Sequence, residues 1–148
     1  MIALIQRVIK SKVKISNEVA SEIGKGLLIL VGIFEDDSES DLNKLAEKIS
    51  TLRIMADQEN KMNLSISDIK GEILVVSQFT LVADLAYGRR PSFIKAKKPA
   101  DAEILYNSFV EKLRAKNIPV KTGAFGKYMT IEIVNDGPVT IIADSKNI

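Results

Sequence analysis

The segment Glu72-Ile73-Leu74-Val75-Val76-Ser77-Gln78-Phe79-Thr80-Leu81-Val82-Ala83 is the longest strand candidate in the chain. Polar Ser77, Gln78 and Thr80 interrupt an otherwise apolar run. Such an interruption fits two structures. One is a strand with a solvated face. The other is a strand that bends and offers backbone N–H groups and a hydroxyl to a ligand. Residue types alone leave both open.

Strand patterns continue toward the N-terminus. Residues 2–9 and 12–16 read as strands, and Val13 and Ile15 alternate with Lys12 and Lys14 as a half-solvated strand would. Asn17-Glu18 reads as a turn, Val19 to Ile23 as a returning strand, and Gly24-Lys25-Gly26 as a second turn. Leu27 to Phe34 is long and apolar enough for a buried central strand. A helix is expected from Ser38, which with Asp41 resembles a capping box. Leu42, Leu45, Ala46, Ile49 and Leu52 follow at helical spacing. Residues 53–56 suggest a short strand and Asp57-Gln58-Glu59-Asn60 a turn. Leu64, Ile66 and Ile69 fit no regular element.

Toward the C-terminus, Gly88-Arg89-Arg90-Pro91 opens a loop. A second helix is expected from Pro99 or Ala100, with Ala102, Leu105, Phe109 and Leu113 as its apolar stripe. Asn117-Ile118-Pro119 ends it, since proline cannot continue a helix. Tyr128 to Val134 and Val139 to Ala143 read as two strands joined by the turn-forming Asn135-Asp136-Gly137-Pro138. Many strands and two separated helices point to an α+β fold, a single domain over residues 1–148 with a curved, largely antiparallel, barrel-like sheet. No glycine-rich phosphate loop follows a strand, so no nucleotide cofactor is expected.

Composition narrows the chemistry. A chain of 148 residues, 46% of them hydrophobic, can bury a core without covalent staples. It contains no Cys, hence no disulfide, thiolate nucleophile or Cys-based metal site, a composition compatible with the cytoplasm. It contains no His either, which excludes a Ser-His-Asp triad and a His-ligated zinc. No metal site and no cofactor are expected. The apolar start Met1-Ile2-Ala3-Leu4-Ile5-Gln6-Arg7 lacks the basic and long apolar regions of a signal peptide. No apolar run approaches membrane-spanning length, so no membrane partner is expected. The net charge of +2 is too mild to announce nucleic-acid binding.

Three further segments carry candidate chemistry. Asn135 to Thr140 is either a hairpin turn or something more specialised, because a cis Gly137-Pro138 bond would aim two neighbouring carbonyls nearly the same way. Arg89, Arg90, Lys95, Lys97 and Lys98 put five cations within ten positions, around Phe93. They form either a solvated loop or a set of phosphate contacts. Gly123-Ala124-Phe125-Gly126-Lys127-Tyr128-Met129 offers an aromatic and a thioether, ordinary core residues that can also sandwich a purine.

Together, Ser77-Gln78-Phe79-Thr80-Leu81 and Asn135-Asp136-Gly137-Pro138-Val139-Thr140 resemble the paired signature of the D-aminoacyl-tRNA deacylase family. Ala3 to Val8, Lys61-Met62-Asn63-Leu64, Gly71 to Val76 and Arg90-Pro91-Ser92-Phe93 extend the resemblance over essentially the whole chain. The Ser-Gln-Phe-Thr form favours the D-specific branch over a related family that edits L-alanine. The resemblance implies an editing hydrolase acting on the aminoacylated 3′ end of tRNA in the cytoplasm. It implies a homodimer with the active site at the subunit interface, and a cis Gly137-Pro138 reaching into the partner's pocket. It further implies that Arg7 holds that motif and that Phe125 and Met129 lie near the terminal adenine.

The candidate catalytic set is Ser77, Gln78, Phe79 and Thr80. Backbone N–H groups of Phe79 and Thr80 are candidates to stabilise the oxyanion. Thr80 as nucleophile would need an adjacent base, and no motif supplies one. The substrate's own ribose 2′-hydroxyl is the more economical relay, with Thr80 as a positioning group. Exclusion of L side chains by Gly137-Pro138 would admit glycine. Other readings are an RNA-binding module without turnover, an editing domain for an L-amino acid, and a structural dimer.

Overall fold

The computed structural model describes residues 1–148 as one α+β domain. Its spine is β1 (Ile2–Ile15), a single strand where the sequence suggests two. Its first half pairs antiparallel with β3 (Gly26–Gly32), and its second half runs on to pair antiparallel with β2 (Glu18–Ile23). The long strand β8 (Thr130–Asp144) pairs antiparallel with both halves of β1. Parallel pairing begins at β3, which takes β6 (Glu72–Ser77) beside it; β6 in turn takes β7 (Val120–Thr122). Parallel neighbours need a crossover connection. The two helices sit in those crossovers, α1 (Glu39–Thr51) between β3 and β6, and α2 (Pro99–Arg114) between β6 and β7.

The continuous apolar runs of β3 and β6 follow from burial on both faces. Leu27, Ile29, Ile73 and Val75 pack into the main core with Leu42, Leu45 and Ile49 of α1 and Phe109, Val110 and Leu113 of α2. Leu28, Leu74 and Val76 point the other way, into a smaller core with Val8, Val13 and Ile23 inside the curl of the sheet. The curl is completed by side chains. Ser21 Oγ on β2 donates to Thr122 O on β7 at 2.7 Å, and Lys121 Nζ donates to Glu22 O at 2.6 Å.

The expected strand 72–83 stops at Ser77. Val31↔Ser77 is the last rung of the β3–β6 ladder, and Gln78 N still donates to Val31 O at 2.8 Å. Residues Phe79–Val82 then wind into a 3₁₀ turn. The unassigned region holds a small hairpin, β4 (Met55–Ala56) with β5 (Met62–Leu64). Asp57 builds its turn, with Oδ1 accepting from the N–H of Glu59 and of Lys61, and Oδ2 from Asn63 Nδ2.

At α1, Asp41 Oδ2 accepts from both the N–H and the hydroxyl of Ser38 at 3.0 Å, completing the cap that Ser38 and Asp41 suggest. Its other oxygen accepts from Ser145 Oγ at 2.8 Å, and Ser145 Oγ accepts from the Met1 ammonium at 2.7 Å. The same ammonium donates to buried Asp37 at 2.5 Å. These bonds tie the end of β8 to the start of α1. No helix is long and apolar enough to cross a membrane.

Candidate active site

A cleft of about 950 Å³ opens where β6 leaves the sheet. Ser77, Gln78, Phe79 and Thr80 form one wall, and Phe125 and Met129 another. The first wall follows from how the 3₁₀ turn starts. The opening N–H groups of a helical turn have no carbonyl behind them. The N–H of Phe79 and of Thr80 accordingly stay outside the backbone hydrogen-bond pattern, whereas Leu81 N donates to Gln78 O and Ala83 N to Thr80 O. Gln78 Nε2 donates to Thr80 Oγ1 at 2.5 Å, which orients the hydroxyl while leaving its proton free to be donated. Phe79 is 57% exposed and meets Phe93 edge-on, with centroids 4.9 Å apart.

The second wall rests on close packing at Gly123. A Cβ there would stand 2.8 Å from Met129 Sδ, so the missing side chain is what admits the thioether. Ala124 N donates to the same sulfur at 3.2 Å. Phe125 is backed by Tyr106, with centroids 5.6 Å apart. Burial pushes the Tyr106 phenol up, so it stays protonated and donates to Val75 O at 2.9 Å.

The ionisable groups lining the cleft are Lys97, Lys98, Lys127 and Tyr128; no carboxylate lines it. None of the three lysines takes part in an ion pair. Helix α2 begins here too, with Lys98 at its N-cap and Pro99 and Ala102 on the wall. The N-terminal end of a helix dipole adds to a positive field.

The remaining candidates lie elsewhere. Arg89 and Arg90 stand exposed in the loop that follows the 3₁₀ turn, a loop whose neck is pinned by paired backbone bonds between Asp84 and Ser92. Lys95 does not line the cleft and is salt-bridged to Asp84 at 2.8 Å. The hydrogen bond from Lys95 holds the Asp84 carboxyl below the usual carboxylate range, and the bond to Asp84 raises Lys95 in turn.

Gly137 and Pro138 also lie outside this cleft. The ladder between β1 and β8 passes from Gln6↔Thr140 to Val8↔Asn135, so residues 136–139 bulge out opposite Arg7. The Asn135 side chain closes the neck of this bulge, with Nδ2 donating to Val139 O at 3.1 Å and Oδ1 accepting from Val139 N at 3.0 Å. Arg7, 8% exposed, donates from Nε to Asp136 O at 3.1 Å and from Nη1 to Ile54 O at 2.8 Å; Nε also pairs with the Asp136 carboxylate. Gly137 has φ +149°, and a Cβ there would stand 2.5 Å from Val139 N. The Gly137-Pro138 bond is cis.

Sequence reasoning did not single out Lys127, Tyr128, Pro99 or Ala102 as part of this cleft. Tyr128 lies within the Gly123-to-Met129 segment, where the aromatic and thioether signal was read at Phe125 and Met129 alone. Pro99 and Ala102 read as ordinary first-turn residues of a helix, and Lys127 carried no signal.

Known proteins match this chain over nearly its whole length. Residues 4–144 match the family described as D-Tyr-tRNA(Tyr) deacylase. A D-aminoacyl-tRNA deacylase of Thermodesulfovibrio yellowstonii is 52% identical over 146 residues, covering 99% of this chain and 100% of that one. One of Persephonella marina is 56% identical over 146 residues, covering 99% of each. A solved structure titled c-Myc DNA Unwinding Element Binding Protein superposes with a TM-score of 0.93 at 41% identity, over 97% of this chain and 98% of that one. A probable eukaryotic D-amino acid tRNA deacylase shares the fold, with a TM-score of 0.81 at 16% identity over 97% and 98% of the two chains. The chain is thus an enzyme of the deacylase class of hydrolases. Within that class it belongs to the D-Tyr-tRNA(Tyr) deacylase family.

Proposed function

We propose that the chain hydrolyses the ester of D-aminoacyl-tRNA, and of glycyl-tRNA, while sparing L-aminoacyl-tRNA. The observation that carries this reading is the cleft itself. Three lysines without carboxylate partners and the start of α2 suit a polyanion. Phe125 and Met129 suit a purine ring, and two unpaired N–H groups beside Thr80 suit an oxyanion.

The lining holds no carboxylate and the chain no imidazole, and the one side chain bonded to the Thr80 hydroxyl is the Gln78 amide, which is no base to activate a nucleophile. Thr80 positions the substrate. Water adds to the ester carbonyl, and the N–H groups of Phe79 and Thr80 stabilise the resulting oxyanion. The attacking water's proton passes through the neighbouring ribose 2′-hydroxyl to the 3′-oxygen as the C–O bond breaks. Losing one oxyanion donor costs about 2.7–4 kcal/mol in comparable hydrolases.

Chiral selection falls to Gly137 and Pro138 of a second copy, inserted beside the substrate α-carbon, with Arg7 as the residue that positions the bulge. The carbonyls leave room for hydrogen and none for an L side chain. The family resemblance supports this, as does the bulge's place outside its own cleft. A homodimer with sites at the interface is supported by β8, whose only strand partner is β1 although it runs fifteen residues. Long open edges are ordinarily covered. Arg89, Arg90, Lys97 and Lys98 contact tRNA phosphates, and Lys95 contributes through the loop it braces. The cytoplasm, where aminoacyl-tRNA is used, is the expected location.

The test is hydrolysis of matched D-Tyr-tRNA and L-Tyr-tRNA by purified protein, with a chelator present. Release of D-Tyr alone supports the reading. Release of L-Tyr, or tRNA binding without release, overturns it. Two substrates probe the finer claims: a resistant Gly-tRNA would sink the exclusion model, and undiminished cleavage of a 2′-deoxy terminus would sink the ribose relay.

A further inference from the structure

We propose that Tyr128 is a stacking platform for the penultimate nucleotide of the tRNA 3′ end. The inference deepens the function proposed above and rests on it. Tyr128 is 93% exposed, and its hydroxyl makes no hydrogen bond within the chain. The buried tyrosine differs in both respects, since Tyr106 is 3% exposed and its hydroxyl is satisfied by Val75 O. Nothing in the fold of the domain therefore depends on the Tyr128 ring.

Its position is set by its neighbour. Met129 is held inward by Gly123 and by the N–H of Ala124. Tyr128, the residue before it, lines the same cleft but is almost fully exposed. Phe125 and Met129 thus form the inner wall and Tyr128 the lip of one cleft. A purine seated on the inner wall has a chain continuing out of the cleft, and the first base outside it reaches the lip.

The charges at the lip select the partner. Lys127 adjoins Tyr128, and Lys97 and Lys98 line the same cleft without carboxylate partners. An aromatic face among cations without carboxylate partners, Lys97 donating only to the Glu35 carbonyl, is an arrangement that holds single-stranded nucleic acid, with bases on the ring and phosphates on the lysines. Tyr87 is also exposed, at 87%, but it lies on the loop after β6 and does not line the cleft. A protein partner would sooner require an apolar surround without three cations.

The experiment compares two substrates that differ only in what lies beyond the terminal adenosine. One is D-Tyr-tRNA, the other the D-Tyr ester of adenosine. The readout is the ratio of kcat/KM for the tRNA to kcat/KM for the nucleoside ester. Tyr128→Ala is expected to lower this ratio on the order of tenfold, and Tyr128→Phe to keep it, because stacking needs the ring and not the hydroxyl. The loss is expected in KM. A ratio unchanged by Tyr128→Ala overturns the proposal, as does a loss in Tyr128→Phe equal to that in Tyr128→Ala. If the unmodified protein cleaves neither ester, the proposed function falls and this inference with it. If it cleaves both and only the ratio fails to move, the platform alone is refuted.

Discussion

Thr80 tests the mechanism at the scale of one residue. Its hydroxyl accepts from Gln78 Nε2, so it is oriented, and no base is hydrogen-bonded to it. Thr80→Ala is expected to cost about tenfold or less in kcat, the worth of a positioning hydrogen bond. Loss of a true nucleophile costs roughly a millionfold; steady-state kinetics on D-Tyr-tRNA separates the two. Gly123 makes a second residue-scale case. Gly123→Ala drives a methyl group into Met129 Sδ. Overpacking of that kind costs about 1–3 kcal/mol, so a lower Tm and a raised KM are expected together. The first motif drew notice because polar types interrupt an apolar run, but residue types alone left its role open. The closeness of Gly123 to Met129 was not, because a packing contact leaves no period in a sequence.

At the scale of elements, the helices were the most legible. Leu42, Leu45, Ala46 and Ile49 recur at helical spacing and all enter the main core. The strand over 72–83 was misread in its second half. Apolar Leu81 and Val82 continue the pattern, but β3 offers no rung beyond Val31↔Ser77, and the chain turns where its partner ends. Strand β7 was missed because three residues carry too little period to register. Residues 128–144 were divided at Asn135 to Pro138. In the structure pairing with β1 resumes after the bulge, making one strand of the two. Asn135 makes that possible by bonding to both the N–H and the carbonyl of Val139. Asn135→Ala is expected to lose about 1–2 kcal/mol of stability from two hydrogen bonds. Discrimination between D- and L-Tyr-tRNA is expected to fall more than D-Tyr-tRNA cleavage does. An unaltered D/L ratio would separate the bulge from selection.

For the whole molecule, the two-helix, barrel-like architecture was legible in the order of elements, and the parallel half of the sheet was not. Which strands become neighbours depends on where the crossovers return. The network joining α1 to the end of β8 was equally invisible, since Asp41 and Ser145 lie far apart in sequence. Burial pushes Asp41 up, but hydrogen bonds from Ser145 and Ser38 and the charge of Lys146 outweigh it and hold Asp41 well below the usual range. A depressed folded-state pKa means that this stability is present above the unfolded value near 3.8 and is lost as pH falls through the folded value. Asp41→Asn is expected to lower Tm by roughly 5 °C at pH 7. Thermal melts should then show the gap to the parent narrowing below about pH 4. The bulge at 136–139 has a different kind of consequence. If Gly137 and Pro138 select in a second copy, as proposed, a protomer carries its selecting tooth outside its own mouth, and the two functions are separable between chains. Mix Thr80→Ala protomers with Gly137→Ala protomers, whose added Cβ meets Val139 N, and each mosaic dimer regains one site with both parts intact. About a quarter of all sites would then carry neither substitution at random pairing, from two parents that have no such site.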